Sequence, residues 1–444
     1  MEPNTLLDAL LDEAGMSHVG LAARVNQHGR ACGVALRYDH TAVIRWLKGQ
    51  RPRGRVPDLL CDIFAGRLQR PITVEDIGMG KPAALQPTAA LDGFIARSTA
   101  LWRGDEQKRR DLFESPTITG LPAVGPVWEW ENPPDDNDVS RPGTPRVGLS
   151  DVEVLRTARN HYEQMYRKAG GVTTRSRVIG FLTHETAPLL RGSYSDATGR
   201  ELHRAVGGLV AVAGICSYDS DAQGLAQRYF HQALRLAKAS GDRAFGGYVV
   251  ALLTNQCLYM REYRQAVAFA EAGLRTAGAH ISHALATDLY AMQAKAYSRM
   301  GDQAGAHRCM LLAESSAGQI RPDEEPAETG YVQPGLVEAQ LADALMRLGD
   351  LQPAQDYARE AVRVQTHARG RVHRLATLSD IELRSGEADL AASTALEMLT
   401  QGQGMESQRL RDRFVSVRKS LAEHSSTATT EAAERIDASL RVPY

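Results

Sequence analysis

From Asp151 onward the chain reads as helix broken at recurring intervals, and the breaks keep a register. With Asp221, Arg261, Gly301, Gly349 and Gly386 as markers, the intervals are 40, 40, 48 and 37 residues. Five positions after each marker stands an alanine: Ala226, Ala266, Ala306, Ala354 and Ala391. Nine after stand Phe230, Ala270, Met310, Ala358 and Ala395, and twelve after stand Ala233, Gly273, Ala313, Ala361 and Met398. A small residue at a fixed offset implies that the second helix of each repeating hairpin lies close against its neighbours, because a larger side chain would hold the helices apart. The pattern predicts stacked helical hairpins, each a helix, a tight turn and a second helix.

This logic is tetratricopeptide-like. The expected fold is all-α: an N-terminal helix-turn-helix domain over 1–80, a partly helical connector with a Pro-rich segment over 81–148, and a helical-hairpin solenoid over 149–444. Within the connector a weak helical pattern (Leu91, Ile95, Leu101, Leu112) precedes seven prolines, Pro116, Pro122, Pro126, Pro133, Pro134, Pro142 and Pro145, and the acidic run Asp135-Asp136-Asn137-Asp138. Trp128 and Trp130 are odd for a solvated linker, so that part is expected to pack on a domain. The longest repeat interval holds Arg321-Pro322-Asp323-Glu324-Glu325-Pro326, which is expected to loop out between two repeats.

The 444 residues are 43% hydrophobic and 24% charged, with a formal net charge of -1, as in a globular protein. The sequence has no apolar run of about 18 residues and Met1 to Asp12 has no basic start, so a cytoplasmic protein without membrane association is expected. Its five cysteines (Cys32, Cys61, Cys216, Cys257, Cys309) form no CxxC pair and no zinc-finger spacing, and free thiols are expected.

Against this neutral background, Ser17 to Arg55 holds eight cations (Arg24, Arg30, Arg37, Arg45, Lys48, Arg51, Arg53, Arg55) and one acid, Asp39. Local charge of this kind is what a polyanion meets. The flanking pattern is helical: a first helix over Thr5 to Glu13, stopped near Gly15, and a second capped by Ser17 with Val19, Leu21, Ala22 and Val25 on its apolar face. After a polar stretch from Asn26 to Tyr38, Asp39 caps a third helix, His40 to Lys48, closed by Gly49 and Pro52. A fourth spans Val56 to Arg67 with Pro57 in its first turn, and Thr73 with Asp76 reads as a short capped turn. If the third helix enters the major groove, His40, Thr41 and Arg45, with Ile44 as a methyl contact, meet base edges. Lys48, Gln50, Arg51 and Arg53, joined by Arg30 and Arg37 from the long turn, then face phosphates.

The third-helix segment, Asp39 to Pro52, with Leu21-Ala22 on the second helix, resembles the lambda-repressor/Xre class. With the repeats it resembles actinobacterial regulators that join an Xre-type head to a tetratricopeptide-like body. Val127-Trp128-Glu129-Trp130, Leu190-Arg191-Gly192-Ser193-Tyr194, Gly199-Arg200-Glu201-Leu202 and Leu225-Ala226-Gln227-Arg228-Tyr229-Phe230 carry the likeness beyond the head. Two departures stand out: the gap from Leu21 to Asp39 is longer than usual, and Leu47 stands where Glu is common. The resemblance implies a transcriptional regulator of differentiation or secondary metabolism, a homodimer through the repeat body on a partly palindromic operator, located on the nucleoid when bound.

Catalytic signals are thin. Gly78-Met79-Gly80-Lys81-Pro82 lacks phosphate-loop spacing, and His184-Glu185 has no second His four residues on. Neither an enzyme, a metal site nor a cofactor is expected. For the body, Tyr248, Asn255, Gln256, Tyr290, Gln293 and Tyr297 are the residues expected to line an effector groove for a small molecule or peptide, unless they pack between hairpins. The rival functional class is a protein-protein adaptor with a secondary DNA-anchoring head.

Overall fold

A computed structural model describes residues 4–31, 34–52, 54, 56–68, 72, 74, 76–79, 91–108 and 110–441. The chain divides into two units, Met1–Ala89 and Ala90–Tyr444. Both are helical, and the described residues contain no strand beyond two isolated bridges, Arg141 to Tyr194 and Arg146 to Ser193. Among the described residues no helix is long and apolar enough to cross a membrane.

The first unit holds α1 (Thr5–Glu13), α2 (His18–Ala31), α3 (His40–Leu47) and α4 (Val56–Leu68) around a core of Leu7, Leu21, Val25, Val43, Trp46, Leu60, Phe64 and Ile77. Asn4 caps α1, its Oδ1 accepting from Leu7 N at 3.0 Å while its Nδ2 donates to Ile77 O at 2.9 Å, which ties the end of the unit to its beginning. Gly78, at φ +65, packs on that same amide so closely that a Cβ there would lie 2.2 Å from Asn4 Oδ1. The long gap before α3 is partly helix: α2 continues beyond Asn26 to Ala31. Cys32, Arg53, Arg55, Thr73, Gly80, Lys81 and Pro82 lie outside the described residues.

The second unit opens with α5 (Leu91–Glu106), α6 (Arg110–Phe113), α7 (Leu121–Glu131), α8 (Leu149–Ala169), α9 (Gly171–Phe181) and, after a π turn at Leu182–Thr186, α10 (Ala187–Leu190). Hairpins then follow: α11 (Asp196–Asp219) with α12 (Gln223–Ser240), α13 (Arg243–Tyr259) with α14 (Tyr263–Ala277), and α15 (His283–Met300) with α16 (Gln303–Ala317). After the insertion come α17 (Leu336–Leu348) with α18 (Leu351–Arg363), α19 (Ala368–Arg384) with α20 (Ala388–Gln401), and α21 (Gln408–Ala422) with α22 (Thr427–Leu440). The five sequence markers are the hairpin turns themselves, with φ of +62 at Asp221, +66 at Arg261, +77 at Gly301, +93 at Gly349 and +83 at Gly386. All five alanines at the first offset are fully buried, and every residue at the two later offsets is buried too. The first helices of successive hairpins lie side by side and form the inner layer.

The described residues of 91–148 do not form a separate connector; they are clamped onto the repeats. Trp102 is fully buried with its Nε1 donating to Gln232 Oε1 at 3.0 Å. Gln227 holds the Ile118 backbone at both ends, accepting from its N at 2.7 Å and donating to its O at 2.9 Å. The acidic run is neutralised locally: Arg235 forks onto Asp136 at 2.7 and 2.8 Å. Trp130 is buried against Gly246, where a Cβ would lie 2.1 Å from the indole Nε1. Trp128 stays 45% exposed, so only one of the two tryptophans packs.

The insertion after α16 also departs from expectation, because it turns inward. Glu328 pairs with Arg204 on α11 at 2.8 Å, Glu325 Oε1 accepts from Ala284 N at 3.1 Å, and Tyr331 donates to Asp288 Oδ2 at 2.6 Å. Partners waiting on two first helices, α11 and α15, draw the segment in.

The stack closes on itself at its far end. Buried Asp219, at the end of α11, accepts from Gly171 N at 2.7 Å and Ser407 Oγ at 2.8 Å and pairs with Arg369 on α19. Tyr259 on α13 donates to Asp412 Oδ2 on α21 at 2.7 Å, and Glu406 N donates to Ala169 O at 3.0 Å. The last hairpin thereby returns to the first.

Candidate nucleic-acid interface

The face that α3 offers to solvent follows from its period. Ala42, Val43 and Trp46 are buried, which turns Thr41, Arg45 and Lys48 outward at i, i+4 and i+7; His40 is exposed at the first position, and Ile44 is half-buried at the edge. Arg30, Arg37, Gln50 and Arg51 are exposed as well, while Arg53 lies outside the described residues. None of Arg24, Arg30, Arg37, Arg45, Lys48 and Arg51 has a carboxylate in ion-pair distance among the described residues. Cations left unpaired on one small domain keep their full attraction for an external polyanion.

Two devices fix α3 in place. Asp39 Oδ1 accepts from Ala42 N at 3.0 Å, and a hydrogen bond from the Thr41 hydroxyl together with that backbone bond holds the carboxyl below its usual range. Thr41 thus serves the cap as well as the exposed face. The second device was not legible beforehand: Asn26 grips the Tyr38 backbone, its Nδ2 donating to Tyr38 O and its Oδ1 accepting from Tyr38 N, both at 2.8 Å. Tyr38 then meets the Trp46 ring edge-on at 5.1 Å, and Val34 N donates to Gly29 O at 2.8 Å. An amide placed twelve residues ahead of its backbone target carries no local sequence signature. It sets the angle between α2 and the turn that delivers α3. Gly49, at φ +91, then ends the helix, and Gln50 N donates to Arg45 O at 2.9 Å, bringing Arg51 past the helix end.

The effector-groove expectation fails at three of its six residues. Tyr248, Gln256 and Gln293 are buried with internal partners. Tyr248 stacks on Phe245 and meets Tyr331 of the inward-turned insertion, and burial drives its phenol well above the ordinary value. Gln256 Nε2 donates to Gln223 O at 2.8 Å, and Gln293 Oε1 faces Cys309 Sγ at 3.7 Å. Asn255, Tyr290 and Tyr297 are half-buried, and both tyrosines pack against the hairpin cores. The amides hold hairpins together, and the insertion covers the ground where a groove was expected.

Cys216, Cys257 and Cys309 are free and buried, Cys61 is buried too, and burial pushes the Cys257 thiol up to about 12 and Cys309 up to about 11. Exposed His184 meets Glu106 Oε1 at 2.7 Å. No group of three or more metal-ligating side chains gathers among the described residues.

A family model described as the SP15 N-terminal domain matches residues 7–80, the stretch that forms the first unit. No curated protein matches the chain.

Proposed function

We propose that the first unit reads double-stranded DNA and that the chain is a sequence-specific transcriptional regulator of the Xre-type, repeat-bearing kind. The observation that carries this reading is the capped helix α3, whose outward face bears Thr41, Arg45 and Lys48 beside unpaired cations. In the major groove, His40, Thr41, Ile44 and Arg45 meet base edges, and Arg forks onto guanine. Arg30, Arg37, Lys48, Gln50, Arg51 and Arg53 then position the domain on phosphates. A homodimer held by the repeat unit would set two such helices on a partly palindromic operator, and an effector would act by favouring one spacing of the two heads. Control of differentiation or secondary metabolism, and residence on the nucleoid, belong to the same proposal.

Titration of the full chain against its own promoter region at two salt concentrations tests it. Five phosphate-facing cations per head give a log–log salt slope of about -4 to -5 per head, together with preference for one fragment over scrambled DNA. Weak binding indifferent to sequence would instead favour an adaptor with a DNA anchor.

A further inference from the structure

The inner face of the closed stack carries more cations than carboxylates. Along α15 the stripe runs Asp288, Lys295, Arg299; along α17 Gln340, Asp343, Arg347; along α19 His373, Thr377, Asp380, Arg384; and along α21 Arg409, Arg413. Six cations there (Lys295, Arg299, Arg347, Arg384, Arg409, Arg413) share three carboxylates: Asp343, Asp380 and Asp412. Asp288 is already taken by Tyr331 and by Gln340, whose Nε2 donates to it at 2.8 Å.

The cations are crowded rather than paired off. Asp343, almost buried, serves two of them, with Arg299 Nη2 at 2.8 Å and Lys295 Nζ at 3.7 Å. Asp412 accepts from Tyr259 and from Gln408 Nε2, and among the described residues Arg413 donates only to the Thr377 hydroxyl, at 3.0 Å. Arg409 lies over the Tyr218 ring at 4.2 Å, and its buried Nε has no acceptor among the described residues. A buried guanidinium N–H without an acceptor is costly, as is a set of like charges in a poorly solvated space. Lys295 registers that crowding: burial, with Arg299, Arg413 and Arg409 nearby, brings its ammonium down to about 8 despite Asp343. Burial drives the His373 imidazole well below its ordinary value, and Arg369, Arg409, Arg413 and Lys295 lower it further. Lys295 and Arg299 still keep 23% and 21% of their side-chain surface open.

We propose that Lys295, Arg299, Arg409 and Arg413 form an anion site at the centre of the stack, which takes a small ligand bearing two or more phosphate groups. Guanidinium forks suit phosphate oxygens, and an ammonium adds a point charge. A dense anion would supply the acceptors the cluster lacks. The site stands on the second unit alone; only its role as an effector site rests on the regulator reading above.

Calorimetric titration of the full chain with inorganic pyrophosphate at low salt and pH 7 tests the site. One saturable site per chain is expected, weakened at least about tenfold in Lys295→Gln and in Arg413→Gln, the loss of one charge-assisted contact. Arg413→Lys, which keeps the charge, is expected to bind within about threefold of the parent and guards against loss of fold in the glutamine variant. Arg45→Ala with Lys48→Ala in the first unit is expected to leave pyrophosphate binding unchanged. Absence of binding up to millimolar pyrophosphate, equal affinity in Lys295→Gln and Arg413→Gln, or loss in the first-unit variant would each overturn the site. Loss of DNA binding with pyrophosphate binding intact would count only against the regulator reading.

Discussion

In the first unit Arg24, Arg30, Arg37, Arg45, Lys48 and Arg51 stand in solvent with no carboxylate beside them among the described residues, whereas in the second unit most arginines are spoken for. Arg159 pairs with Glu163 at 2.6 Å, Arg204 bridges Asp242 and Glu328, Arg235 forks onto Asp136, and Arg369 is buried on Asp219. The same side chains thus do two jobs. Where a core of leucines, Trp46 and Phe64 holds four short helices together, charge is free to face outward. Where long inserted segments must be pinned to a helical stack, charge is consumed as fastening. In the inner stripe around Lys295 the fastening is shared thinly: Lys295 and Arg299 divide one carboxylate, Asp343, and Arg413 donates to the Thr377 hydroxyl.

The largest expected effect lies on the fastening side. Arg369→Ala leaves Asp219 buried without its cation and should destabilise the second unit by about 3–5 kcal/mol, read as a fall in its unfolding midpoint. The first unit's exchange protection, followed peptide by peptide by hydrogen-exchange mass spectrometry, should stay as it was. If both units lost protection together, the division of labour would fail.

Acidification separates the units next. Burial drives His203 and His231 in the second unit down to about 4. An unfolded histidine takes its proton near 6.5, so between 6.5 and 4 the unfolded chain binds more protons, and stability falls as pH falls through that window. The depressed Asp39 carboxyl in the first unit works lower: its contribution is present above the ordinary aspartate range and fades as pH drops below it. Melting curves at pH 7 and pH 5 should therefore show the second unit losing on the order of a few kcal/mol, with the cap of α3 still intact. A second unit equally stable at both pH values would contradict the neutral burial of these histidines.

A smaller effect tests the first unit's geometry. Asp39→Ala removes the cap of α3 and should lower that unit's stability, seen as faster amide exchange at Ala42. Unchanged exchange there would mean that Asn26 and Tyr38 alone hold the helix.

Elements governed by local chemistry were legible in the sequence. Asp39, Gly49 and Pro57 bound their helices as expected, and the marker register landed on turns with positive φ because only a left-handed residue lets two helices double back so tightly. The alanine offsets worked for the same reason: close packing leaves one choice of size. What escaped depends on partners far along the chain. Proline and acid content gave 81–148 the look of a linker, but Gln232, Gln227 and Arg235 supply its docking ground 130, 109 and 99 residues further along the chain. Tyr248 and Gln256 have the chemistry of a binding groove and the burial of a core, and only the inward fold of Tyr331 decides between them. The Asn26 clasp and the Lys295 stripe were missed alike, since neither declares itself within one helix.

The central claim is that the first unit's exposed face reads sequence, and base-resolved DNA binding tests it most directly. Fluorescence titrations of the parent, Arg45→Ala, Lys48→Ala and Arg51→Ala against an operator and its single-base variants would measure affinity and preference together. Arg45→Ala is expected to lose about 1–3 kcal/mol on the operator and to relax preference at one base pair, whereas Lys48→Ala and Arg51→Ala weaken every sequence alike and each lower the salt slope by about one. Equal losses from all three variants, with preference untouched at every position, would contradict a reading helix at His40–Leu47.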